Sequence, residues 1–268
     1  MDTLGFIGGG NMAEAIISGI LTHGTLREAE ISVYDVKQER SDYLSSRYGV
    51  QVSPDPRTLV KSHSTVILAV KPNQIHHVVS ELKDLLRDRL TISIAAGIKT
   101  ETILNLLGAD ARLVRVMPNT PALVLQGVSV LAPSGSCTKD DIEVAKSIFS
   151  SVGTCIEMAE TYLDAVTALS GSGPAFCFLF LEALSDGGVR AGLPRDVALR
   201  LASATMKGAA ALVHETGKHP AELKDMVTSP GGTTIDGLAV LEAGSVRSAI
   251  IDAVWAAYRK AAELSGKA

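Results

Sequence analysis

Apolar positions follow two different rhythms along the chain. Up to about residue 160, short apolar runs alternate with stretches whose apolar side chains recur every three or four positions. The runs Leu4–Ile7, Ile31–Tyr34, Thr65–Val70, Thr91–Ala96, Leu113–Met117 and Val128–Leu131 predict strands, with a further short one at 154–158. Thr65-Val66-Ile67-Leu68-Ala69-Val70 is nearly continuous, as a parallel strand covered on both faces requires. Helices are expected at 11–23, 37–47, 73–87, 100–107 and 138–151; in the first, Met12, Ala15, Ile16, Gly19 and Ile20 share a face. Alternating strands and helices predict an α/β domain over 1–160, a Rossmann-like, doubly wound and mostly parallel sheet with right-handed crossovers.

Beyond residue 160 the pattern is helical throughout, broken by Gly, Pro and Ser clusters at 170–174, 192–194, 217–220, 229–232 and 244. Residues 161–268 are therefore expected to form an all-α domain. Its helix at about 174–189 carries Phe176, Phe178, Leu179, Phe180, Leu181 and Leu184, apolar nearly all round. Such a helix needs cover on every side, and a short helical domain supplies too little, so a second subunit is expected against it.

Charge removes several partners. Residues 1–160 hold 15 basic and 18 acidic side chains (−3) and the remainder 10 and 11 (−1), so neither part offers the basic surplus of a nucleic-acid binder. Met1-Asp2-Thr3-Leu4 shows no basic leader, and the apolar stretch Ala175–Leu181, stopped by Glu182, is too short to span a bilayer. Cys137, Cys155 and Cys177 are odd in number and lack C-x-x-C spacing, which reads as reduced, mostly buried thiols and a cytoplasmic location. The adjacent His76 and His77 point about 100° apart on a helix, so no metal site is expected. Gly is frequent, 24 of 268 residues, and aromatics are only 4%. Close backbone approaches, to a helix or to a ligand, are thus expected.

Candidate chemistry gathers at strand ends. Gly8-x-Gly10-x-x-Ala13 follows a strand and opens a helix, the context a dinucleotide loop requires. The first Gly permits the tight turn, the second lets pyrophosphate approach the backbone, and Asn11 and Met12 offer amides at a helix N terminus. Asp35 closes the second strand, where an acidic residue accepts bonds from the adenosine ribose and repels a 2′-phosphate. Lys37 and Arg40 follow closely and could instead hold that phosphate; a plain solvated turn is the alternative for Asp35. Ala69-Val70-Lys71-Pro72, Ala95-Ala96-Gly97 and Asn119 in Met117-Pro118-Asn119-Thr120-Pro121 end three further strands, where open α/β sheets bind ligands. In the helical part, Ser229-Pro230-Gly231-Gly232-Thr233-Thr234 precedes a helix and reads as an anion site or as an ordinary N-cap. His214 and His219 read as structural or exposed.

These segments, with Phe6-Ile7-Gly8-Gly9-Gly10-Asn11-Met12-Ala13 and Leu169-Ser170-Gly171-Ser172-Gly173-Pro174-Ala175, occur in an order that closely resembles the pyrroline-5-carboxylate reductase family over essentially the whole chain. The glycine loop is shared by many enzymes; the Ser-Gly-Ser-Gly-Pro-Ala and Ser-Pro-Gly-Gly-Thr-Thr pair is specific to this family. The resemblance implies reduction of 1-pyrroline-5-carboxylate to L-proline by NADPH or NADH. It also implies homo-oligomers built from interleaved dimers, with Ser229, Gly231, Gly232, Thr233 and Thr234 holding the substrate carboxylate. Thr234 and Ser172 are then the candidates to hydrogen-bond the imine nitrogen. Many members carry a small polar residue where Asp35 stands, and Asp35 leans instead to NADH. A β-hydroxyacid dehydrogenase is disfavoured, because its chemistry uses a Lys on the central helix and no Lys lies between Lys146 and Lys207. A non-catalytic NAD(P)-binding regulator is the remaining alternative.

Overall fold

The structure, a computed structural model, describes residues 3–266. Along the first part run β1 (Leu4–Ile7), α1 (Asn11–Thr22), β2 (Ile31–Tyr34), α2 (Gln38–Tyr48), β3 (Gln51–Val52), α3 (Pro56–Ser62), β4 (Thr65–Leu68), α4 (Ile75–Leu86), β5 (Leu90–Ser93) and α5 (Thr100–Leu107). Then come β6 (Leu113–Met117), β7 (Gly127–Pro133), α6 (Lys139–Ser150) and β8 (Gly153–Glu157). The helical part holds α7 (Leu163–Val166), a π-turn (Thr167–Gly171), α8 (Gly173–Arg190), α9 (Arg195–Thr216), α10 (Pro220–Met226), α11 (Thr233–Ala243) and α12 (Val246–Gly266).

Eight strands form one sheet in the order β3-β2-β1-β4-β5-β6-β7-β8. The first six in this order are parallel, and β1, β4 and β5 are buried at every position, as helices on both faces demand. β7 runs antiparallel to β6 because residues 118–126 are too few for a crossover helix, which needs a dozen or more. Two elements escape the periodic reading. β3 has two residues, and α3 has seven, though Asp55 caps it through the Thr58 amide at 2.8 Å and Pro56 opens it.

Contacts divide the chain into two compact units. One holds the sheet, the residues up to Gly171 and those from Ala257 onward; the other is Ser172–Ala256. This division differs from the one expected at residue 160. The helical start 160–171 and the end of α12 pack with the sheet: Ser265 Oγ donates to Asp164 Oδ2 at 2.9 Å, and Ala261 and Ser265 are buried.

The second unit is helical, and α8 meets α9 where Gly188 lies against Ala198 and Ala202 is buried. The apolar surface of α8 is not covered within the chain: Phe178 and Leu179 are each 64% exposed. Ala175–Leu181 is by itself too short to span a bilayer. It lies in a helical run, Glu160–Arg190, that by length and composition could cross one, with a mean hydropathy of 1.3 over 18 residues.

Candidate nucleotide and substrate sites

The glycine loop is built by close packing. Gly8 sits at φ +100°, and a Cβ there would lie 2.6 Å from the Ala69 carbonyl oxygen, so only glycine fits between β1 and β4. Its N–H donates to Tyr34 O at 2.8 Å. Gly10 is the opposite case. It caps α1 with no side-chain bond, is exposed, and has open space where a Cβ would project. The amides of Asn11 and Met12 start that helix and have no intrahelical partner. An uncapped helix N terminus beside a bare glycine has room and donors for a pyrophosphate, so the residues present fit a dinucleotide.

Asp35 closes this loop. Its Oδ2 accepts from Gly9 N at 2.8 Å and its Oδ1 from Lys37 N at 2.9 Å, while its own amide donates to Ser41 Oγ. The carboxylate is thereby fixed at the end of β2 with lone pairs to spare. Lys37 is exposed. Arg40 is already engaged: its Nε donates to the Gly9 carbonyl, its guanidinium pairs with Glu14, and it stacks 4.9 Å from the Tyr43 ring centroid. Glu14 also accepts from the Tyr43 and Tyr48 hydroxyls at 3.1 and 3.0 Å. Burial pushes the Glu14 carboxyl up, but Arg40 and the tyrosines outweigh it and hold it below the usual range.

Further along the same edge of the sheet, Lys71, Pro72 and Ala96 are exposed, Val70 and Ala69 are half-buried, and Gly97 turns at φ +75°. Ala95 is 4% exposed and packs in the core, so its side chain faces away from any ligand. A cleft of about 310 Å³ lies here, lined by Pro72, Ala96, Gly97, Ile98, Asp164, Thr167, Ala261 and Leu264. Asn119 is a brace rather than an open contact. It is buried, its Nδ2 donates to Ser170 O at 3.0 Å, and its Oδ1 accepts from Val128 N at 2.8 Å.

Some contributors to this site gave no sequence signal. Asp164 and Ser265 meet across 101 positions, and Leu264 reaches the Gly97 turn. Glu160 takes the Thr100 amide at the start of α5 at 2.6 Å and pairs with the buried Arg115 at 2.8 Å. Burial raises the Glu160 pKa; the Thr100 and Arg115 bonds more than offset this and leave it lowered.

In the second unit, Ser172 precedes α8 without a side-chain cap bond. Gly231 adopts φ +65°, Gly232 N donates back to Ser229 O at 3.1 Å, and Gly232 caps α11 with no side chain on its first amides. Thr233 and Thr234 are the first two residues of that helix, Thr233 exposed and Thr234 half-buried, and Ser229 and Gly231 are exposed. His219 accepts from Ala221 N and caps α10, a structural role. Among the described residues no group of three or more metal-binding side chains occurs. Cys137 and Cys155 are half-buried, and burial pushes the Cys155 thiol up to about 11; Cys177 is exposed, unlike the buried thiol expected.

With both loops described, the chain can be compared with known proteins. Residues 160–264 match the family model described as "Pyrroline-5-carboxylate reductase dimerisation", and residues 3–97 match one described as "NADP oxidoreductase coenzyme F420-dependent". The chain is 47% identical over 264 residues to the pyrroline-5-carboxylate reductase of Synechocystis sp., covering 98% of each. The chain belongs to the pyrroline-5-carboxylate reductase family. A solved pyrroline-5-carboxylate reductase from Coxiella burnetii superposes with TM-score 0.93 at 39% identity, covering 98% of both chains. One from Plasmodium falciparum with NADP bound gives 0.89 at 31%, again over 98% of each. As a member of this family the chain is an NAD(P)H-dependent oxidoreductase that forms homo-oligomers. The exposed apolar face of α8 falls inside the segment that matches the dimerisation model.

Proposed function

We propose that the chain reduces 1-pyrroline-5-carboxylate to L-proline in the cytoplasm with a division of labour between its two units. In the first, Gly8, Gly10 and the amides of Asn11 and Met12 hold the pyrophosphate, and Asp35 holds the adenosine ribose. Val70, Lys71, Pro72, Ala96 and Gly97 flank the nicotinamide end, and Asn119 supports them from behind. When bound, the reduced nicotinamide supplies the hydride.

In the second unit, the open N terminus of α11 carries the reading. Its first amides lack a side-chain cap, and a substrate carboxylate placed there meets donors and the positive end of the helix dipole. Ser229 and Thr233 add hydroxyls. Thr234 and Ser172 hydrogen-bond the imine nitrogen directly or through water; neither is an acid at neutral pH, so both orient rather than protonate. Holding two reactants in register accounts for much of such catalysis.

Between the two nicotinamide cofactors, Asp35 favours NADH, since its anchored carboxylate repels a 2′-phosphate and accepts from ribose hydroxyls. The subunits pair through α8 as interleaved dimers. Steady-state kinetics with pyrroline-5-carboxylate and the Thr234→Ala variant test the carboxylate–imine assignment. The expected loss in kcat/KM is about ten- to a hundred-fold, the worth of ~1.4–2.7 kcal/mol in the transition state. Unchanged kinetics would remove Thr234 from the mechanism.

A further inference from the structure

We infer that Glu14, through its ion pair with Arg40, is a determinant of cofactor choice that acts at one remove from the nucleotide. The inference rests on the reading of Asp35 as the ribose-binding residue. Arg40 lies in the first turn of α2, directly after the β2 end that carries Asp35, which is where a cation for a 2′-phosphate belongs. A phosphate monoester there carries between one and two negative charges and suits a guanidinium fork. Yet the fork is taken. Arg40 Nε is bound to the Gly9 carbonyl, its NH2 to Glu14 Oε2, and its stem lies along Gly9, where a Cβ would meet Arg40 Cγ at 3.3 Å.

Glu14 is well placed to keep it there. Its side chain is only 17% exposed, and it is steadied by two tyrosine hydroxyls as well as by Arg40. Gly9 is thus gripped at both of its backbone polar groups, its N–H by Asp35 and its C=O by Arg40. Asp35 repels the 2′-phosphate, and Glu14 withholds the cation that would compensate. Lys37, exposed and without an ion-pair partner among the described residues, is the nearer cation left in the turn. Removing Asp35 alone therefore lifts the repulsion without creating an arginine site. Glu14→Gln is the matching change: its amide oxygen still accepts from the tyrosines, while the loss of charge loosens Arg40.

The test is a set of variants of the full-length protein probed by calorimetry with adenosine 2′,5′-bisphosphate and with 5′-AMP. The ratio of the two affinities isolates the 2′-phosphate. Asp35→Ser should raise the ratio for the bisphosphate about tenfold, and Asp35→Ser/Glu14→Gln about three- to tenfold further, a gain that Arg40→Met then abolishes. If Glu14→Gln adds nothing in the Asp35→Ser background, or if the gain survives Arg40→Met, the role of Glu14 is overturned and that of Asp35 stands. If instead Asp35→Ser leaves the ratio unchanged while Glu14→Gln raises it, the reading of Asp35 fails and that of Glu14 stands. Thermal unfolding of each variant separates a lost site from a lost fold.

Discussion

Asn119 donates its side-chain N–H to the carbonyl of Ser170 at 3.0 Å, tying the loop after β6 to the π-turn that precedes α8. The same carboxamide accepts from Val128 N at 2.8 Å, so one buried side chain joins three segments. Gly171 reinforces the junction, since a Cβ there would come within 2.7 Å of Met117 Cε. A π-turn lacks the regular i→i−4 bonds of a helix, and a brace from outside compensates.

Asn119→Ala should therefore lower stability by roughly 1–3 kcal/mol, because it leaves two partly buried backbone groups without their partner. Asn119→Asp keeps the acceptor for Val128 and loses the donor to Ser170, so an intermediate loss is expected. Urea unfolding of the three proteins checks the order.

The two glycines of the nucleotide loop should separate folding from binding. Gly8→Ala meets the Ala69 backbone at a φ that alanine resists, and a drop in stability of about 2 kcal/mol or more is expected. Gly10→Ala projects into open space at φ −65°, so its melting temperature should stay close to the parent's while nucleotide affinity falls by about tenfold or more. Thermal unfolding and nucleotide titration, run on both variants, decide.

The Glu160–Arg115 pair gives the fold an acid sensitivity. A carboxyl held in the fold below its ordinary value of 4.5 contributes stability above about pH 4.5, and that contribution is lost as pH falls through the folded value. Glu160→Gln should cost about 1–2 kcal/mol at pH 7, a figure reduced because the Glu160 side chain is 34% exposed. The gap between the two proteins should close below about pH 4.5. Denaturation midpoints from pH 3 to pH 8 measure it.

Phe178 should report on assembly. Placing a charge at this exposed apolar position of α8, as in Phe178→Asp, should convert an oligomer into monomers in sedimentation experiments. An unchanged sedimentation coefficient would move the subunit contact away from this face of α8.

Much of this was legible in the sequence, for identifiable reasons. The long β-branched runs predicted six of the eight strands, and the weaker 154–158 pattern the seventh, because parallel strands covered on both faces must be apolar throughout. β3, with two residues, is too short to show a period, and the direction of β7 is set by loop length rather than by side chains. The glycine loop and Asp35 were visible because their chemistry is local. The pairing of Arg40, read as an alternative phosphate ligand, was not visible, since its partner Glu14 lies 26 positions away on another helix. Ala95 sits in a strand-end motif, but two residues past the end of β5 its side chain packs into the core. Ser265 and Asp164 illustrate the limit: neither carries a motif, and only the tertiary fold brings them together.

The central claim is that this chain transfers hydride to a cyclic imine. The most direct measurement incubates the purified protein with 1-pyrroline-5-carboxylate and NADH or NADPH, and follows nicotinamide oxidation and L-proline formation together. One mole of proline per mole of nicotinamide oxidised, faster with NADH, is the predicted result. No proline with either nucleotide, from protein that binds nucleotide and is folded, would contradict the account.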